Sequence, residues 1–215
     1  MYLSTQSKKM PKARIPIIAQ TIYKGALCRI EGKEKAVYLT FDDGPIPEAT
    51  PLVLDILKQY NAKATFFCVG DNVRKHPAIY QRIMNEGHSV GNHTYNHVDG
   101  WKTLLKEYLE NVEKCATLVD SKLFRPPYGR IGLKQFNSLK KKYKIVLWDL
   151  LSMDYDPVLG AEDCFKIVEK NTRKGSIIVF HDSIKAKEKI PRLLPKTLEF
   201  LTTEGYNLKA ISATT

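Results

Sequence analysis

Short apolar runs recur along this chain, and each leads into a cluster of acidic, imidazole or aromatic residues. Ala36–Phe41, Ala64–Val69 and Ser176–Phe180 are apolar almost without interruption. Weaker runs at 88–92, 123–125, 145–150 and 206–211 bring the number to seven. Strands that are apolar on both faces belong to a parallel sheet covered on both sides. The stretches between them have helical spacing. Thr50-Pro51 opens one helix, striped by Val53, Ile56, Leu57 and Tyr60. Val73, Ile79, Tyr80, Ile83 and Met84 stripe a second, ended by Gly87. Trp101, Leu104, Leu105, Tyr108, Val112, Cys115 and Val119 predict one long helix. Further helices are expected around 133–142, around Phe165 and Val168 before Gly175, and along Leu194, Leu198 and Leu201. Strands alternating with helices make a parallel α/β barrel or an open doubly wound sheet. Neither G-x-G-x-x-G nor G-x-x-x-x-G-K-[ST] follows the first strand, so a nucleotide-binding sheet has no support.

A length of 215 residues favours one domain. Residues 1–35 differ from the rest. They are basic at Lys8, Lys9, Lys12 and Arg14 and weakly periodic, and read as an extension that packs on the main body and supplies a strand. Residues 36–215 read as the main domain. The longest apolar patch near the start, Ile15–Ala19, is interrupted by Pro16 and is too short for a signal-peptide core, so the chain as given reads as cytoplasmic. Four scattered cysteines, none in a C-x-x-C pair, read as free thiols.

The chemically distinctive residues fall where strands end. Asp42-Asp43-Gly44-Pro45 follows the first strand and Asn92–His97 the third; Arg125-Pro126-Pro127-Tyr128-Gly129 ends the fourth. Trp148-Asp149, with Asp154 beyond, ends the fifth, and His181-Asp182-Ser183 ends the sixth. Parallel barrels and open parallel sheets both assemble their sites at C-terminal strand ends. Neighbouring aspartates in mid-strand point to opposite faces, but at a strand end turning through Gly44-Pro45 both can reach one cavity. Such a pair needs a cation or an arginine beside it. One helical turn between His93 and His97 would put both imidazoles on one face, a spacing suited to a divalent ion. Two histidines, one carboxylate and an open position make a catalytic rather than a structural metal set. His181 reads as a general acid and Arg125, stiffened by the prolines after it, as the partner that keeps an aspartate ionised. His76 and His88 receive no role.

Taken in order, Thr40-Phe-Asp-Asp-Gly-Pro45, His93-x-x-x-His97, Arg125-Pro-Pro-Tyr-Gly129, Trp148 through Asp154 and Val179-Phe-His181-Asp-Ser183 resemble the NodB-homology polysaccharide deacetylases, carbohydrate esterase family 4. The likeness covers about residues 36–212 and implies a distorted (β/α)7 barrel. It also implies roles. Asp42 would be the general base, and Asp43, His93 and His97 the ligands of a divalent metal, zinc first, with cobalt or nickel as alternatives. Tyr128 would offer its backbone N–H to the oxyanion, and Pro127, Tyr155 and Trp148 would join it at the substrate. His181 would protonate the leaving amine, with Arg125 orienting Asp42 and Asp154 tuning His181. The products would be acetate and a free amino sugar. The chain departs from the family where Trp usually follows the Asp154 position and Tyr155 stands here, and where an acidic residue often precedes it and Leu151 stands here.

The expected substrate is therefore a glycan containing N-acetylglucosamine, of the peptidoglycan or chito-oligosaccharide type. A related amidohydrolase acting on C–N bonds of a small molecule is the alternative. The formal net charge of +11, gathered partly at Lys8–Arg14, Lys140–Lys144 and Lys185–Lys189, raises nucleic acid as a partner. No interleaved aromatics or nucleic-acid motif accompany those clusters, so nucleic acid is not expected. A membrane span is not expected either, and a monomer is.

Overall fold

The computed structural model describes residues 13–212. Lys8, Lys9 and Lys12 of the basic N-terminal cluster lie outside the described residues. A short helix, α1 (Ile17–Ile22), precedes the first strand, β1 (Ala36–Asp42). Then follow α2 (Thr50–Gln59), β2 (Thr65–Cys68), α3 (Gly70–Lys75), α4 (Pro77–Asn85) and β3 (Ser89–Asn92). The next elements are α5 (Leu105–Ala116), β4 (Leu123–Phe124), α6 (Leu133–Leu139), β5 (Lys144–Ile145) and β6 (Leu150–Leu151). The chain ends with α7 (Ala161–Asn171), β7 (Ile177–His181), α8 (Ile190–Thr203) and β8 (Asn207–Lys209). Every strand pairing is parallel, in the order β5-β4-β3-β2-β1-β7-β6, with β8 added to the start of β1. The sheet curls into the distorted (β/α)7 barrel expected from the sequence. Among the described residues no helix is long and apolar enough to cross a membrane.

The alternation along β1 separates packing from chemistry. Phe41 faces the helices; its ring stacks on Phe66 of β2 at 5.2 Å and on Phe180 of β7 at 5.6 Å, each its partner in register. These rings join the buried residues of α2 and α8, including Val53, Leu54, Leu57, Leu194 and Leu198. Thr40 and Asp42 point the other way, into the barrel. They meet Arg125 there, whose guanidinium lies 4.1 Å from the Phe67 ring centroid.

The fifth run is not one strand. Among the described strands β5 pairs with β4 and β6 with β7, leaving a seam at 146–149. The N-terminal segment crosses it. The Leu27 N–H donates to the Ile145 carbonyl and the Leu147 N–H to that of Leu27, at 2.8 and 2.9 Å. Arg29 bridges to Ser176, and the Ile30 N–H donates to the Gly175 carbonyl at 2.9 Å. Lower on the same side Arg14 pairs with Leu150. Asp149 is not with the other strand-end residues. It stands level with Ile177, at the start of β7, where Arg14, Arg173 and the Ser176 hydroxyl bind its buried carboxylate.

Two helices differ from their apolar stripes. The second is broken at His76, because Pro77 lacks an N–H and pushes the residue before it out of helical geometry. The long helix begins only at Leu105. Trp101 and Leu104, with 66% and 72% of their surface exposed, lie in the preceding loop. Asp99 caps that loop, taking the Trp101 N–H on its side chain and the Lys102 N–H and Thr103 hydroxyl on its carbonyl.

Candidate active site

Asp42 is the last residue of β1, directly opposite His181 on β7, so the strand register alone brings two of the expected groups together. Asp43 then turns back at φ 86°, a left-handed conformation that swings its carboxylate to the same side as that of Asp42. What holds this turn was not evident from sequence. The Gly44 N–H donates to Asp182 Oδ1 at 3.1 Å, and the Thr50 hydroxyl donates to Oδ2 at 2.6 Å. Burial pushes the Asp182 carboxyl up to about 8, although both of these donors favour its charged form. A Cβ on Gly44 would lie 1.9 Å from Asp182 Oδ2. Gly44→Ala is therefore expected to cost about 1–3 kcal/mol by overpacking and to displace Asp43. Thermal unfolding and metal content measured together check this.

The histidines converge through a loop, not through the helical turn their spacing suggested. Thr94 and His97 adopt φ 61° and 55°, and residues 93–97 contain no helix. The Asn92 side chain takes the Thr94 N–H, and the Thr94 hydroxyl takes the Val98 N–H. His97 Nε2 is 3.0 Å and His93 Nε2 3.8 Å from Asp43 Oδ1. One ligand atom from each of the three residues lies within 4.8 Å of the others. The far sides of the rings are also fixed. His93 Nδ1 is 2.8 Å from the Arg125 carbonyl, an acceptor only, so Nδ1 carries the proton and Nε2 turns a lone pair toward Asp43. His97 Nδ1 lies 3.2 Å from the Tyr128 hydroxyl, a partner that reading the motif alone did not assign. Burial brings His93 down to about 4, and the His97 hydrogen bond and neighbouring histidines hold Asp43 far below the ordinary carboxylate range against its own desolvation. Two neutral imidazoles and one carboxylate are the donor set a divalent ion requires, so these residues fit one.

Arg125 is fully buried. Its fork donates to Asp42 Oδ1 at 2.6 Å, Thr40 Oγ1 at 2.8 Å and the Leu147 carbonyl at 2.9 Å. On the other wall, Asp154 is buried and takes both His181 donors, the backbone N–H on Oδ2 and Nδ1–H on Oδ1, each at 2.7 Å. Burial alone would disfavour the imidazolium, but Asp154, with Asp43 and Asp42 behind it, outweighs that, and His181 is pushed up to about 9. The Lys189 ammonium in turn donates to the Asp154 carbonyl at 2.8 Å.

One cleft of about 640 Å³ takes in Asp42, Asp43, His93, His97, His181 and the rings of Tyr128, Trp148 and Tyr155. Arg125 and Asp154 stand behind it. Tyr128, at φ 59°, sits in the single turn Pro127–Gly129, whose Gly129 and Arg130 N–H groups bond back to Pro126 and Pro127, so the Tyr128 N–H takes no part in the turn. Pro127 is buried in that turn, beneath the cleft wall. Gly129 gives the Trp148 indole room; a Cβ there would come within 2.2 Å of it. Tyr155 sets its ring edge-on to His181 at 4.9 Å, and Leu151 is half-buried at the same wall.

Residues 29–145 match the family model described as polysaccharide deacetylase. A peptidoglycan-N-acetylglucosamine deacetylase from Bacillus cereus is 36% identical over 199 residues, covering 85% of this chain and 89% of the relative. A chitooligosaccharide deacetylase from Azorhizobium caulinodans is 32% identical over 166 residues, covering 74% and 79%. The crystal structure of the Bc1960 peptidoglycan N-acetylglucosamine deacetylase, in complex with 4-naphthalen-1-yl-N-oxidanyl-benzamide, superposes with a TM-score of 0.81 at 33% identity, covering 90% of this chain and 94% of the other. With its five motifs folded into one cleft, the chain belongs to the polysaccharide deacetylases, the NodB-homology proteins of carbohydrate esterase family 4.

Proposed function

We propose that this protein hydrolyses the N-acetyl group of N-acetylglucosamine units in a glycan of the peptidoglycan or chito-oligosaccharide type, releasing acetate. The observation that carries this reading is the pairing of an Asp–His–His ligand set with an arginine-held aspartate and an aspartate-held histidine in a single cleft. Asp43, His93 and His97 would hold the divalent ion, zinc before cobalt or nickel, and that ion supplies Lewis acidity at the amide carbonyl and the water. Asp42, kept in place by Arg125, takes the proton of the attacking water as the C–O bond forms. The Tyr128 N–H donates to the oxygen that gains charge. His181, with Nδ1–H engaged by Asp154, presents Nε2–H to the leaving nitrogen, and its proton goes to the amine as the C–N bond breaks. The related reading, a small-molecule amidohydrolase, shares these residues.

The test is acetate release from chitopentaose and from purified peptidoglycan, before and after chelation and metal readdition. Turnover that chelation abolishes and metal restores supports the proposal. Release from small amides alone, with none from either glycan, selects the amidohydrolase.

The histidine also sets a pH limit. The acid must be protonated, and its raised value keeps it so until the pH passes about 9. Asp154→Asn removes the largest of the charges that raise it, leaving Asp43 and Asp42. The alkaline limb of kcat/KM is expected to move down toward the ordinary imidazole value of about 6.5. Pair stability follows the same sign: full below the unfolded value, it is lost as the pH rises through the folded one. A pH–rate profile of the variant checks the shift.

A further inference from the structure

Trp101 is an aromatic ring of 66% exposure held on a stiff support. Its loop is tied by Asp99 and by the Gln135 side-chain amide, which donates to the Gly100 and Thr103 carbonyls at 2.9 and 3.0 Å. Gly100 packs so closely on the neighbouring turn that a Cβ would lie 2.4 Å from the Arg130 carbonyl. The Arg130 guanidinium, fixed by Asp99 at 2.7 Å, lies 5.2 Å from the Trp101 ring centroid and 5.7 Å from that of Tyr128. The Tyr128 ring is itself 4.7 Å from that of the metal-ligand candidate His97. An unbroken row of planar groups thus leads from the cleft to Trp101. Arg130 and Tyr128 line the cleft, and Trp101, outside that lining, borders Arg130.

A tryptophan that is already ordered offers a large planar contact and loses little entropy on binding. We propose that Trp101, backed by Arg130, is the platform for a pyranose ring next to the sugar being deacetylated, stacking on that ring's C–H face. This rests on the glycan reading and adds to it: the protein prefers oligomers long enough to pass the rim, over mono- or disaccharides. Nothing in the sequence suggested this role, because the helical spacing placed Trp101 in a buried stripe.

The experiment compares wild type, Trp101→Ala, Trp101→Phe and, as a control in the same loop, Leu104→Ala. Acetate release is measured on N-acetylglucosamine oligomers of two to six units, and binding of chitohexaose to the chelated protein by calorimetry. For Trp101→Ala the ratio of kcat/KM on the hexamer to that on the dimer is expected to fall about tenfold, the loss of one aromatic stack, through KM with kcat kept. Trp101→Phe should restore most of the ratio, and Leu104→Ala should leave it unchanged. Equal losses on short and long substrates, or none on the hexamer, overturn the platform while acetate release leaves the activity standing. Hexamer binding that depends on Trp101 without any acetate release overturns the activity and keeps the platform. Absence of both binding and release overturns both.

Discussion

Replacing Arg125 by Met is expected to destabilise the protein by about 3–5 kcal/mol, the cost of leaving one partner of a buried ion pair alone. Methionine fills most of the volume over Phe67, so the loss is electrostatic, not a cavity. Arg125 has no accessible surface and satisfies a carboxylate, a threonine hydroxyl and two backbone carbonyls at the seam, those of Val146 and Leu147. Without it, the buried Asp42 carboxylate loses its ion-pair partner and the donor that holds it in place. An Asp42 no longer held by Arg125 is a poorly placed base, and activity is expected to fall by about 10²–10⁴. Lysine is a poor replacement, since one ammonium cannot span Asp42, Thr40 and Leu147 as a planar fork does. Denaturant unfolding and acetate release check the two losses separately. Full activity in the methionine variant would remove Arg125 from the mechanism.

Asp42→Asn separates base from scaffold. The amide oxygen can still accept from Arg125 and keep its fork in place, but the buried guanidinium loses its counter-charge, so a stability loss of up to about 3–5 kcal/mol is expected here too. The proton acceptor is gone, and kcat is expected to fall by about 10²–10⁴. Asp43, His93 and His97 are untouched, so metal content should equal that of wild type. Asp43→Ala should instead lose the metal itself. Mass-spectrometric metal counting beside turnover tells the two aspartates apart, and retained activity in Asp42→Asn would assign the base elsewhere.

Much of this site could be read in the sequence because parallel strands place their last residues on one rim. Asp42 and His181 are cross-strand partners for that reason alone. Asp149 shows the limit: the apolar run 145–150 looks like one strand, and only the seam between β5 and β6 sets Asp149 at the opposite end. Local spacing likewise picked out His93 and His97, which do converge, but not by the helical turn it suggested, since the loop converges through two left-handed residues that no period encodes. The apolar stripe through Trp101 continued past the true start of α5, where Asp99 binds the loop to itself and Gln135 ties it to the next turn. Asp182 went unassigned because its partners, Gly44 and Thr50, are remote in sequence and meet it only when β1 and β7 pair.

The seam between β5 and β6 bears on how the chain reaches this state. Leu27 cannot pair until Val146 has been made, nor Arg29 until Ser176 has. The stretch translated early is therefore among the last to dock. Contacts so distant along the chain slow folding, because a long loop must close before they are rewarded. Until then the carbonyls at 145 and 175 face water, and the barrel wall that carries Arg125's acceptors stays open.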